Sequence, residues 1–245
     1  KNIIQTVRQD GRRTLLEHEA KRLFTIHGAP VPADFLAQTA KEAVEIAKKI
    51  GSDVVVKIVS PDMLHKSDAG GVRLKLRTEK EIHRAFDEIM ENVRNFNPRA
   101  DIRGVLVSPM AAEGVEIIIG TKYDDQFGPV IMYGLGGIMV EILKDVSFRV
   151  LPITPTDARK MIAETKSYPI LNGARGKPPL DQKSIRKLLQ LCSEIIEAYP
   201  DIEEMDLNPV IVYESGLGIV DARVILKTDD RYQKSEDGGP RTSIL

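Results

Sequence analysis

Cysteine is nearly absent from this 245-residue sequence, where Cys192 stands alone. A lone cysteine excludes an internal disulfide, and nothing else points to an oxidising compartment. Cys192 falls on the apolar stripe of "SIRKLLQLCSEIIEAY", so it reads as core packing and not as a reactive thiol. Neither charge is in surplus: 35 Lys and Arg against 36 Asp and Glu leave a net charge of -1. Binders of a phosphate backbone usually carry a basic excess, so no nucleic-acid partner is expected. No apolar run reaches the roughly 18 residues that a membrane-spanning helix needs. The stretch "KNIIQTVRQDGRR" lacks the apolar core of a secretory signal. No GxxxxGK(S/T) loop is present, which sets P-loop enzymes aside. A GxGxxG-like Rossmann unit is missing too, and no segment repeats. What is there is an ordinary soluble composition, 42% hydrophobic and 29% charged. It is expected in the cytoplasm and is long enough for one large domain or two modest ones.

Helical spacing and breakers divide the chain. "TLLEHEAKRLFTIHG" is helical and stops at Gly28, ahead of Pro30 and Pro32. "TAKEAVEIAKKIG" opens on a capping box, Thr39 with Glu42, and ends at Gly51 with Ala43, Ile46, Ala47 and Ile50 on one face. "DVVVKIVS" reads as a short buried strand and "GVRLKLRT" as a half-buried one. A second boxed helix, "TEKEIHRAFDEIMENV", follows them. From "IRGVLVSPMAAEGVEIIIGTKYDDQFGPVIMYGLGG" onward, strands and short turns predict an antiparallel sheet. A helical pair spans about 156–199, broken by "NGARGKPP", and "NPVIVYESGLGIVDARVIL" closes the fold as a strand pair. The pattern predicts two α+β lobes, with a hinge at Val107-Ser108-Pro109-Met110 and a loose polar tail at the end.

Several residues stand out chemically. Lys57 lies in the β-branched run "VVVKIV": either it faces solvent from its strand, or its buried ammonium requires a negative partner, for which a nucleotide phosphate is one candidate. "DAGGV", with Gly70 and Gly71, and "GLGGI" could turn backbone N–H groups toward an anion, although hairpins use glycine for steric reasons as well. If the turn near Ser215-Gly216 is a two-residue one, Asn208 faces Arg223 and Val210 faces Asp221. Asn208 and Asp221 then share a sheet face, an amide oxygen and a carboxylate suited to Mg²⁺. Glu141 is one more acid in an apolar run. His65, just ahead of the glycine pair, is either a polar loop residue or a nucleophile toward phosphorus. In the second case Asp206 is a candidate to orient its ring.

"EHEAKRLFTIHGAPVP", "VVVKIVSPDMLHKSDAGGVRL", "GVEIIIGTKYDDQFGPVIMYGLGGIMVEILKDVSFRVLPI" and "MDLNPVIV", in that order, resemble the ATP-grasp fold. The likeness is specifically to the β subunit of ADP-forming acetyl-CoA synthetases, over residues 10 to 228. It implies a mixed α+β fold whose two lobes clasp ATP. These would be a small lobe at 18–105 and a large lobe at 106–228 packing with 1–17, with 229–245 as a flexible tail. It implies Lys57 as the phosphate lysine, Val107 to Met110 as the adenine side, and Glu116 as a ribose or nucleotide contact. Asn208 and Asp221 are the implied magnesium ligands, by likeness to succinyl-CoA synthetase β subunits. His65 is the implied phosphorylated histidine, with Asp206 helping to hold it; the succinyl enzymes have no such histidine in that subunit. The implied reaction is acyl-CoA + ADP + Pi ⇌ acid + ATP + CoA. It needs Mg²⁺ and a CoA-binding α subunit, in an α2β2 heterotetramer. Two alternatives remain open: the β subunit of another acyl-CoA ligase, such as succinyl-CoA synthetase, or a non-catalytic ATP-grasp regulatory module.

Overall fold

A computed structural model describes residues 3–63, 65–137 and 144–229. The chain forms two compact units. The first comprises Leu16–His18 and Val31–Glu113, and the second gathers the residues before Leu16, Glu19–Pro30 and those from Gly114 onward. Helices α1 (Ile3–Gln9) and α2 (Glu17–Ile26) come first. Then follow β1 (Phe35–Ala37), α3 (Ala40–Ile50), β2 (Val54–Val59), β3 (Val72–Leu76), α4 (Glu79–Phe96) and β4 (Gly104–Pro109).

Local chemistry sets the first unit. The Thr39 side chain accepts from the Glu42 amide at the start of α3, and Gly51 ends it in the left-handed conformation at φ 71°. Here Glu42 reaches back to the Gln38 amide and not to its cap residue. At α4 both halves of the capping box form between Thr78 and Glu81. The sheet runs in the order β1-β4-β2-β3, antiparallel throughout. Val54, Val56 and Ile58 join Ala43, Ala47, Ile82, Phe86 and Ile89 in one core. Strand alternation turns Val55, Lys57 and Val59 to the other face.

Of the stretch expected as a hinge, Val107–Pro109 is strand and Met110 follows its end. β4 lies between β1 and β2, with Val56 opposite Val107 and Val54 opposite Pro109, and the Met110 amide donates to Asp53. The β2 side holds that backbone along its length, and β1 adds a second neighbour at Val107 alone. The chain changes units between Glu113 and Gly114, not at 105/106, and Glu19–Pro30 go with the second unit.

The second unit contains β5 (Val115–Asp124), β6 (Gly128–Leu135), β7 (Val146–Val150), α5 (Pro155–Glu164), α6 (Tyr168–Leu171) and α7 (Gln182–Ala198). The strands β8 (Ile202–Val212), β9 (Leu217–Ile219) and β10 (Ala222–Leu226) complete it. Its strand order is β10-β8-β5-β6-β7, with β9 also on β8. Ile117, Ile119, Ile131, Tyr133, Met205 and Leu207 are buried, as are Met161 of α5 and Leu188, Leu189 and Cys192 of α7. Burial pushes the Cys192 thiol pKa far up, consistent with packing. Asp181 caps α7: its carboxylate accepts from the Ser184 amide at 3.0 Å, the Ser184 hydroxyl at 2.7 Å and the Gly216 amide at 2.8 Å. It thereby stitches the start of α7 to the turn between β8 and β9. The N-terminal segment joins this unit through Arg8 to Asp201 at 2.9 Å and the Leu15 amide to Val224. Glu141, and residues 230–245 of the expected tail, lie outside the described residues. Among the described residues no helix is long and apolar enough to cross a membrane.

Candidate active site

Lys57 is 6% exposed at the centre of β2. A carboxylate faces it across the fold of the first unit: Nζ lies 2.7 Å from Glu17 Oε1. The other oxygen, Oε2, lies 2.7 Å from Nζ of Lys66. The Glu17 side chain is 2% exposed, so one buried acid bridges two lysines. A carboxylate buried to this extent requires such counter-charge, since burying it alone would cost several kcal/mol. Glu17 was not among the sequence candidates. An acid in the first turn of a helix reads as dipole complementarity, and only the tertiary fold brings it to β2.

Lys66 follows His65 directly, in the connection from β2 to β3. His65 itself is exposed. Met63 and Ala69, on either side, are each 5% exposed and belong to the core of the first unit. The glycine pair serves the turn. Gly70 adopts φ 63°, and its amide donates to Ser67. A Cβ on Gly71 would meet Ile58 Cγ2 at 2.6 Å and the Lys66 carbonyl oxygen at 2.9 Å. The Gly71 amide donates to that same oxygen at 2.7 Å. Both N–H groups are therefore occupied, and in this conformation Gly70 and Gly71 do not form an anion nest. Ser108 shares the Lys57 face by alternation, and its buried hydroxyl has no hydrogen-bond partner among the described residues. That orphaned group is a polar contact the Val107–Met110 stretch can offer a ligand.

The remaining candidates belong to the second unit. β8 ends at Val212 opposite Leu217, so the connecting turn is Tyr213 to Gly216, closed by the Tyr213 amide on the Gly216 carbonyl. That is two residues more than the tight turn assumed from sequence. The register moves by two, and Asn208 comes directly opposite Asp221, its amide donating to the Asp221 carbonyl at 3.3 Å. A shift of two preserves the face, so the two side chains still share one. Asn208 is exposed and Asp221 half-buried. Among the described residues no group of three or more His, Cys, Asp and Glu is gathered as for a metal ion. A two-oxygen pair fits Mg²⁺, which takes one or two protein oxygens and completes its shell with phosphate and water.

Next along the same face, Asp206 stands opposite Arg223. Arg223 Nη2 lies 2.6 Å from Glu204 and 3.9 Å from Asp206 Oδ2. Burial raises the Asp206 pKa, Arg223 draws it back down, and the charges of Glu204 and Asp221 push it further up. Arg223 was absent from the sequence candidates. Its signal was position alone, one strand period past Asp221. Its Nε is buried with no hydrogen-bond partner among the described residues. Glu116 lies on β5 beneath the "GLGG" turn, where the Gly136 amide donates to the Glu116 carbonyl at 2.7 Å and a Cβ on Gly136 would meet Glu116 Cβ at 2.9 Å. The candidates thus fall into two groups: Lys57, His65, Gly70, Gly71 and Val107–Met110 in the first unit, and Glu116, Asp206, Asn208 and Asp221 in the second.

Comparison with known proteins gives these groups a context. Residues 6–226 match the family model described as an ATP-grasp domain. Over 228 residues the chain is 51% identical to the acetate–CoA ligase [ADP-forming] II subunit beta of Pyrococcus furiosus, covering 92% of this chain and 97% of that protein. A Korarchaeum cryptofilum dinucleotide-forming acetyl-coenzyme A synthetase, in complex with coenzyme A, Ca-AMPCP and HgCl⁺, superposes with a TM-score of 0.89 at 48% identity, covering 92% of this chain and 98% of the other. The same enzyme with coenzyme A and Mg-AMPPCP, its phosphohistidine segment pointing towards the nucleotide binding site, gives a TM-score of 0.80 at 45% identity, with 92% and 98% covered.

Proposed function

The chain belongs to the ATP-grasp family, within its ADP-forming acetate–CoA ligase β subunits, and we propose that it is the nucleotide-binding subunit of such an enzyme. It is an acid–thiol ligase component. The reaction is acetyl-CoA + ADP + Pi ⇌ acetate + ATP + CoA, completed with a CoA-binding α subunit. The observation that carries this reading is the junction in the first unit, where Glu17 joins the phosphate-lysine candidate Lys57 to Lys66, the neighbour of His65.

In the proposed route the partner forms an acyl phosphate from acetyl-CoA and phosphate, and passes the phosphoryl group to a histidine of its own. His65 collects it as an N–P bond and delivers it to ADP. There the N–P bond breaks as an oxygen of the β-phosphate forms the new O–P bond. A proton on the other ring nitrogen lets the imidazole leave neutral. Asp206, half-buried, is the proposed acceptor of that N–H. Lys57 neutralises nucleotide phosphate. Asn208 and Asp221 would hold Mg²⁺, which supplies charge neutralisation across the phosphates. Val107–Met110 and Glu116 are the proposed adenine and ribose contacts, and the orphaned Ser108 hydroxyl supports the first of these. The buried yet unpartnered Arg223 Nε supports a further anion contact next to Asp206. An α2β2 assembly in the cytoplasm completes the proposal, with the family resemblance as its support.

The test uses the chain with its partner subunit, acetyl-CoA and labelled phosphate. An acid-labile, base-stable label on this chain is expected, and it should vanish in His65→Asn. Label that persists in His65→Asn, or ATP formed without any label on this chain, removes His65 from the route.

A further inference from the structure

Glu17 holds two lysines of different standing. Lys57 is fixed in the middle of a strand, whereas Lys66 rides on the connection that carries His65. Between the core anchors Met63 and Ala69, the residues His65, Ser67 and Asp68 are exposed. Lys66 is the half-buried exception, reaching inward to Glu17 at 2.7 Å. We propose that Glu17 is a positioning residue for phosphoryl delivery: through Lys66 it docks the His65 segment beside the Lys57 strand, and it releases Lys66 whenever that segment departs. The consequence for turnover rests on the function proposed above. The docking is argued from the two ion pairs.

The bridging geometry makes the tie reversible. Taking one partner from a buried ion pair ordinarily strands a charge, which is why such pairs open reluctantly. Here Glu17 uses a separate oxygen for each lysine, so when Lys66 leaves, Oε1 still faces Lys57. The departing ammonium is strongly hydrated in water, on a flexible stem. Neither side is abandoned in the apolar interior. A lone Glu17–Lys66 pair would lack this property, because its opening would leave a buried carboxylate uncompensated. The sequence is suited to the same division: the β-branched run around Lys57 keeps one lysine rigid, while the turn-rich "HKSDAGG" keeps the other on a segment that can move.

Amide exchange in the isolated full chain, without nucleotide, tests the docking directly. Lys66→Met should speed exchange at residues 65–69 by about tenfold or more. The amides of β2 should stay as in the parent, and Lys66→Arg should restore protection. With the partner present, Lys66→Met should lower kcat while leaving KM for ADP unchanged, because Lys57 keeps its carboxylate. Glu17→Gln should alter both constants, and if that variant does not fold, the two Lys66 variants still decide. Unchanged exchange at 65–69 in Lys66→Met overturns the proposal. So does an equal increase across β2, which would make the acid a simple strut of the fold. Faster exchange together with an unlabelled His65 would keep the docking and remove the phosphocarrier.

Discussion

Asp181 offers a perturbation whose size follows from the structure by two routes. Its carboxylate takes three hydrogen bonds, two from Ser184 and one from the Gly216 amide, and these lower its pKa to about 2 from the ordinary 3.8. At 1.36 kcal/mol per pH unit that gap has a ceiling of about 2.4 kcal/mol. Asp181 is only half-buried, so screening by water reduces it to about 1–1.5 kcal/mol. The bonds themselves give a similar scale. A helix cap is worth about 1 kcal/mol, and a hydrogen bond to a charged group about 1.5–3 kcal/mol. Asp181→Asn keeps an oxygen for the Ser184 amide and removes the charge, so it should cost about 1–1.5 kcal/mol near pH 5. Asp181→Ala should cost about 2–3 kcal/mol.

The sign is fixed by the lowered pKa. The contribution is fully present above pH 3.8 and is lost as pH falls through about 2. Urea midpoints of parent and Asp181→Asn, taken from pH 5 down toward 2, should therefore converge. A gap that stays constant over that range, or that is already absent at pH 5, refutes the reasoning. The ion cap also anchors the turn that sets Asn208 opposite Asp221. Asp181→Ala should accordingly loosen magnesium-dependent nucleotide binding, although the residue does not belong to the site.

Replacing Asn208 and Asp221 together by Ala should weaken Mg-ADP binding by about tenfold or more, or 1.4 kcal/mol, with metal-free ADP binding unaffected. Calorimetric titration across a magnesium series measures this, and equal affinity at every magnesium level removes both ligands. Gly71→Ala forces a Cβ against Ile58 and the Lys66 carbonyl. Overpacking of that kind costs about 1–3 kcal/mol, or a thermal midpoint lowered by about 2–12 °C in a chain of this size. An unchanged melt would mean that the turn relaxes freely around the methyl group.

Much of the fold was legible because local and global signals agree. Thr39, Gly51 and Thr78 marked helix ends by hydrogen bonding that needs no tertiary context, and β2 declared itself by its β-branched run. The turn between β8 and β9 was misjudged by two residues, because its length depends on the Asp181 carboxylate arriving from α7 to hold the Gly216 amide. The face shared by Asn208 and Asp221 survived only because the error was even. Val107–Met110 was expected as a hinge between lobes, but Pro109 stands at the end of β4, where a missing N–H is tolerated. The largest omissions in the site, Glu17 and Arg223, are charged residues whose meaning comes from partners distant in sequence. Lys57 announced that it needed a counter-charge. Nothing nearby in the chain said which acid would provide it.

The assignment of Leu16–His18 to the first unit carries a practical consequence. That unit is written in two places along the chain, and its central cation is balanced from the shorter of the two. A fragment trimmed to 31–113 would look self-sufficient by its strands and helices, yet it would leave the Glu17 carboxylate behind. Dissection of this protein at the visible boundary would therefore strip a buried negative charge from the middle of that sheet.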